Sequence, residues 1–107
     1  MDSNEKNEFL LMQVILMFQT AALQHMGKLK SPLSDKIERD LQQAQASIGI
    51  LEMLHTKMKG NLTSDEERYF SQVLQELKLN YVDEVSKDQN MAQEKPTASS
   101  QTSPTQS

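Results

Sequence analysis

The most apolar stretch of the chain runs from residue 9 to residue 26, FLLMQVILMFQTAALQHM. Helical spacing places residues three, four and seven apart on one face, and the few polar positions then form one narrow seam. They are Lys6, Gln13, Thr20 and Gln24. Because a helix that is apolar on almost every side must be buried on every side, the pattern predicts a first helix that packs on its own chain and on a second copy. The residues predicted to form this interface between copies are Phe9, Met12, Ile15, Leu16, Phe18, Ala22 and Leu23.

A second helix is predicted over residues 35–59, where apolar positions follow alternating steps of four and three. They are Ile37, Leu41, Ala44, Ile48, Leu51, His55 and Met58. This seven-residue repeat favours coiled-coil-like packing against an antiparallel neighbour. Ser34 or Asp35 is the predicted N-cap, and Glu38 lies three residues after Asp35 as a capping box requires. Gly49 costs ~1 kcal/mol relative to alanine inside a helix, which is typical of a close approach by another backbone.

Capping residues and glycines mark the ends of the helices. Residues 2–4 are all N-cap types, and Gly27 can take the left-handed conformation that commonly ends a helix. Thr63 and Glu66 form a capping box for a third helix, whose apolar face carries Phe70, Val73, Leu74, Leu77, Tyr81 and Val85. The sequence therefore predicts an all-α fold, a three-helix up-down-up bundle with helices at roughly 4–26, 35–59 and 64–85.

The chain changes character at residue 86, after which Ser, Thr, Gln and Pro dominate. Such a segment cannot bury enough apolar surface to offset its ordering entropy, so we expect a helical domain over 1–85 and a disordered polar tail over 86–107. About eighty-five residues is near the size at which one core is only marginally sufficient. Homo-oligomerisation, as a dimer or higher, would complete that core.

The balance of charge argues against tight, sequence-independent binding to nucleic acid, which depends on neutralising phosphates. The 11 basic and 15 acidic side chains give a formal net charge of −4. One small basic spot remains around the first connection, at Lys28, Lys30, Lys36 and Arg39, although acidic residues lie among these. This spot supports an alternative hypothesis, a small regulator that contacts RNA or the translation apparatus.

No set of residues converges on a reaction, so no catalytic residue, metal ligand or cofactor site is predicted. The chain has no cysteine and two histidines, His25 and His55, whereas a zinc site needs three or four ligands. The acidic amino terminus does not resemble a secretory signal, and the apolar run is shorter than the ~20 residues that cross a bilayer. We therefore expect a cytoplasmic, non-enzymatic protein with no membrane span.

Several motifs resemble an uncharacterised bacterial family, number eighteen forty-four among the domains of unknown function. They are ILEML at residues 50–54, KGNLT at 59–63 followed by Glu66 and Glu67, Leu77 through Tyr81 to Val82, and LMQVILMFQTAALQHMGKL with Pro32-Leu33 in the amino-terminal half. The resemblance covers roughly residues 9–85 and implies a small, helical, cytoplasmic bacterial protein. It supplies no activity, substrate or catalytic residue. The main functional hypothesis is a homo-oligomeric assembly or adaptor protein, with the acidic third helix or the tail free to bind another protein.

Overall fold

The computed structural model describes residues 2–94, which form three helices: α1 (Ser3–His25), α2 (Leu41–Lys57) and α3 (Ser64–Glu94). No residue in this range forms a strand. Phe9 near the start of α1 lies beside Tyr69 near the start of α3, and Leu23 lies beside Asp83 farther along both helices. These two helices therefore run in the same direction, with α2 antiparallel to them. The predicted all-α, up-down-up bundle is confirmed.

Both ends of α1 lie within one residue of their predicted positions. At the start, the Asp2 carboxylate accepts the Glu5 N–H at 2.8 Å, and Glu5 Oε1 accepts the Asp2 N–H at 3.3 Å, which makes a reciprocal capping box. At the end, Gly27 has a φ of +84°, and the Lys28 N–H donates to the Leu23 carbonyl at 2.9 Å. This is the glycine-terminated arrangement that the sequence predicts.

The predicted start of α2 at residue 35 is wrong, and so is the choice of Ser34 or Asp35 as its cap. The helix begins at Leu41, and Asp40 is its N-cap, accepting the Gln43 N–H at 3.3 Å. The Asp40 N–H in turn donates to the His25 carbonyl at 2.8 Å, which ties the start of α2 to the end of α1.

A tight turn over residues 31–36 explains why α2 starts late. The Ser31 N–H donates to the Lys36 carbonyl at 2.8 Å, and Asp35 takes a φ of 56° in the left-handed region, which cannot continue a right-handed helix. Ile37, predicted to be the first core position of the repeat, is 53% exposed.

The start of α3 is predicted correctly and its end is not. Thr63 and Glu66 form the expected capping box, with reciprocal hydrogen bonds of 2.8 and 3.1 Å. The helix continues past Val85 to Glu94, so residues 86–94 are helical where disorder was predicted. The remainder of the predicted disordered tail, residues 95–107, lies outside the described residues.

The core combines side chains from all three helices. Among the described residues, its buried members are Ile15, Ala22, Met26, Ala44, Ile48, Leu51, Phe70, Val73, Leu74 and Leu77. The central part of the α2 repeat and the α3 face from Phe70 to Leu77 are thus confirmed. The close backbone approach predicted at Gly49 is wrong, because a Cβ built there would meet no atom within 4 Å.

Candidate protein interface

One side of α1 leaves large apolar side chains in solvent. Five of them, between 41% and 61% exposed, lie within the first two-thirds of the helix: Phe9, Leu10, Met12, Leu16 and Met17. The other side of the same helix is buried in the protein's own core, where Ile15 and Ala22 are essentially inaccessible to solvent. Several large apolar side chains exposed together on one side of a small protein are typical of an interaction site.

Two shallow hollows follow this exposed side and share Gln13 and Leu16. The larger, of about 550 Å³, is lined by Gln13, Leu16, Met17, Thr20, Ala21 and Gln24. The smaller, of about 250 Å³, is lined by Phe9, Met12, Gln13, Leu16 and Tyr69. Since the hollows share residues, they form one groove along α1. We call these lining residues, together with Leu10, the open α1 face.

The structure separates the seven residues predicted to form an interface into three groups. Phe9, Met12 and Leu16 lie on the open α1 face. Phe18 and Leu23 are half-buried against the core, and Ile15 and Ala22 lie within it, so the protein's own helices already cover this last pair.

Sequence reasoning also missed two residues of the open α1 face, Leu10 and Met17. The polar seam could have identified both residues. Leu10 lies three residues before Gln13 and Met17 lies four residues after Gln13, so both lie beside this seam residue on the helix surface. The identity of the open α1 face as an interface between copies stays a prediction.

Arg39 and Lys28, two of the four cations in the predicted basic spot, are bound to acidic side chains of α3. Lys28 Nζ lies 3.0 Å from Glu84 Oε2, and Arg39 Nη2 lies 3.1 Å from Glu84 Oε1. Arg39 Nη2 also lies 2.9 Å from Asp88 Oδ1, and Lys87 Nζ lies 3.0 Å from Glu84 Oε2. These five residues are called the Glu84 cluster below.

Glu84 is the buried centre of this cluster, with a side chain only 8% exposed. Hydrogen bonds from Lys87, Lys28 and Arg39 lower the pKa of the Glu84 carboxyl to about 2, although burial acts in the opposite direction. Three cations around one carboxylate stabilise its charged form, which is the condition for burying it.

Arg39 connects the loop between α1 and α2 to the last part of α3. Its Nε donates to the Glu84 carboxylate and its Nη2 donates to the Glu84 backbone carbonyl, both at 3.2 Å, while Nη1 donates to Asp88 at 3.2 Å. The arginine stem passes close to Gly27, where an added Cβ would lie 3.2 Å from Arg39 Cδ. The positive φ of Gly27 and the packing of this side chain therefore both favour glycine at this position.

His55, Glu67 and Ser71 form a second polar group, which joins the end of α2 to the start of α3. His55 Nε2 lies 2.7 Å from Glu67 Oε2, and Ser71 Oγ donates to the same oxygen at 2.7 Å. These contacts, led by the Ser71 hydrogen bond, hold the pKa of Glu67 below its usual value. Because the serine donates to the carboxylate and not to the imidazole, the histidine is not placed to activate it as a nucleophile.

A comparison with known families connects this architecture to other proteins. The model of the family described as Domain of unknown function (DUF1844) matches residues 8–83, which is more than two-thirds of the chain. The chain belongs to this family. No curated protein and no solved structure matches this chain.

The DUF1844 match includes the open α1 face and stops one residue before Glu84. Within residues 2–94, no helix has the length and apolarity that a membrane span requires. In the same part of the chain, no three His, Cys, Asp or Glu side chains come together in a way that could hold a metal ion.

Proposed function

We propose that this DUF1844 protein is a non-enzymatic assembly or adaptor protein that self-associates through the open α1 face. One observation carries the proposal. A single helix buries one apolar side in its own core and exposes five more large apolar side chains on the other. A bacterial, cytoplasmic setting, which the family resemblance implies, stays part of the proposal.

The energy available on the open α1 face is of the size that a reversible dimer needs. Complete burial of a large apolar side chain contributes ~1.5–3 kcal/mol, so covering the remaining half contributes about 1 kcal/mol. Five such residues on each of two copies contribute about 10 kcal/mol, which lies within the ~4–15 kcal/mol that association costs in lost translational and rotational freedom. We therefore expect self-association to be weak and to depend on concentration.

Contact with RNA through the basic spot has less support. The Glu84 cluster neutralises Lys28 and Arg39 within the protein, and of the four cations in the basic spot only Lys30 and Lys36 remain outside the ion pairs formed among residues 2–94. Sequence-independent binding to RNA draws its affinity from many phosphate contacts. Two cations on a chain of net charge −4 supply little of that.

The experiment compares two leucine-to-glutamate variants of similar exposure. Leu16 lies on the open α1 face and is 53% exposed, whereas Leu79 lies on α3 outside that face and is 65% exposed. Sedimentation velocity over about 10 to 500 μM, a range in which weak self-association is measurable, should show concentration-dependent association of the wild type and of Leu79→Glu. Leu16→Glu should remain monomeric, because association would bury an unpaired charge.

Circular dichroism of both variants provides the folding control. Since Leu16 is half in solvent, we expect Leu16→Glu to keep the wild-type helical signal. A wild type that stays monomeric over the whole range would refute the proposal, as would equal loss of association in both variants. Salt-sensitive retention of RNA that Lys30→Glu with Lys36→Glu abolishes would favour the alternative function.

A further inference from the structure

We infer that the second copy docks with its α1 antiparallel to the first, so that the two 9–17 segments overlap across a twofold axis. This inference rests on the proposed self-association and names the segment of the partner that occupies the open α1 face. An antiparallel pair is isologous, since each copy offers the same patch and receives the same patch.

The charges at the two ends of α1 select the antiparallel orientation. The amino-terminal end carries Asp2, Glu5 and Glu8 around the single cation Lys6. At the opposite end, Lys28 is already paired with Glu84, and Lys30 is exposed. A parallel pair would place the acidic end of one copy against the acidic end of the other, and like charges in contact disfavour association.

Three features strengthen the charge argument. Asp2, Glu5 and Lys30 are all exposed, so they can meet the other copy without rearrangement. Lys30 forms no ion pair within residues 2–94, and its charge is free to pair across the interface. The dipoles of two antiparallel helices also oppose one another, which places each partly positive amino-terminal end near a partly negative carboxyl end.

The distribution of apolar side chains places the twofold axis. The exposed apolar residues end at Met17, and the rest of the open α1 face is small or polar, with Thr20, Ala21 and Gln24. An axis beside Gln13, the midpoint of residues 9–17, lays the apolar segments of the two copies over one another. Thr20 and Gln24 of each copy then lie at the two ends of the interface, which are more polar and more exposed to solvent.

Disulfide cross-linking distinguishes the orientations, because the chain has no cysteine of its own. Two cysteines form a disulfide only when their Cα atoms are within ~7 Å. In a parallel pair, every position on the open α1 face lies next to its own counterpart. In an antiparallel pair, only positions beside the axis do, and Gln24 lies some eleven residues, ~16 Å of helix, from Gln13.

Four single variants of the full chain make the test: Gln13→Cys, Leu16→Cys, Gln24→Cys and, as a control on the outer side of α3, Gln72→Cys. Each is oxidised at a concentration where the wild type associates. We expect Gln13→Cys or Leu16→Cys to form disulfide-linked dimers on the order of tenfold faster than Gln72→Cys, because association raises the effective thiol concentration. Gln24→Cys should react at the rate of the control.

The outcomes separate this inference from the proposed function. If Gln24→Cys cross-links as fast as Gln13→Cys, the pair is parallel and the antiparallel inference is wrong, while self-association stands. If no variant exceeds the control, α1 does not meet α1 and the inference is also wrong. Sedimentation of the same samples then tests the proposed function. If the protein is dimeric, its interface lies elsewhere, and if it is monomeric, the proposed self-association is wrong as well.

Discussion

Replacement of Glu84 by glutamine removes one negative charge from the point where Lys28, Arg39 and Lys87 converge, and it leaves the shape of the side chain almost unchanged. The wild-type carboxylate accepts at 3.0 Å from Lys28 Nζ and from Lys87 Nζ, and at 3.2 Å from Arg39 Nε. Glutamine can accept some of these hydrogen bonds, but it has no negative charge to balance the three cations. We therefore expect Glu84→Gln to destabilise the fold.

The pKa of Glu84 sets the size of the effect. Its value of about 2, against an ordinary 4.5, corresponds to ~3 kcal/mol at 1.36 kcal/mol per pH unit. The cations are partly in solvent, at 31% exposure for Lys28, 34% for Arg39 and 57% for Lys87. Because solvent screens exposed ion pairs, we expect a loss of about 1–2 kcal/mol in the free energy of unfolding at neutral pH.

The pH dependence follows from the direction of the shift. Folding lowers the pKa of Glu84, so its contribution is fully present above the ordinary pKa near 4.5 and is lost as the pH falls toward about 2. The unfolded chain binds the proton first in this window, which favours unfolding. The difference in stability between wild type and Glu84→Gln should therefore be constant above about pH 5 and shrink steadily below it.

Urea unfolding followed by circular dichroism, from about pH 6 down to about pH 2, measures this difference at each pH. Glu76→Gln is the matched control, because Glu76 is an exposed glutamate of α3 that takes part in no ion pair among residues 2–94. A Glu84→Gln protein as stable as the control variant at pH 6 would refute the reasoning. So would a destabilisation that does not change between pH 6 and pH 2.

Two further predictions concern glycine-to-alanine replacements that should change the free energy of unfolding in opposite directions. The same urea titrations measure both. Gly49→Ala should raise the free energy of unfolding by about 0.5–1 kcal/mol, because Gly49 lies within α2 and an added Cβ meets no atom within 4 Å; no gain would contradict this. Gly27→Ala should lower it by ~1–2 kcal/mol, because Gly27 has a φ of +84° and the new Cβ would lie 3.2 Å from Arg39 Cδ. A neutral Gly27→Ala would mean that the end of α1 can rearrange.

Local patterns in the sequence were sufficient to predict the parts of the fold that local interactions determine. The Thr63 and Glu66 capping box and the glycine end of α1 each depend on residues within a few positions of one another. The apolar face of α3 follows from helical periodicity alone, and Phe70 and Leu77 are buried as that period predicts. Such features need no knowledge of how the helices pack.

Both helix boundaries that were predicted wrongly involve contacts between distant residues. α2 starts at Leu41, after the turn at residues 31–36, and the N–H of its N-cap Asp40 donates to the His25 carbonyl, a partner that sequence spacing does not reveal. α3 extends to Glu94, and its added turns contain Asp88, which binds Arg39 across 49 positions of sequence. The polar composition after residue 86 predicted disorder because it contains no sign of this ion pair.

The same limit applies to the candidate interface. Apolar residues all around α1 predicted that two partners must cover it, but the pattern could not say which side belongs to which partner. That assignment depends on where α2 and α3 lie, and the structure places Ile15 against them and Leu16 away from them. Neighbouring residues on one apolar helix therefore have different structural roles. Ile15 stabilises the monomer, and a charge at Leu16 should leave the monomer folded and prevent its association.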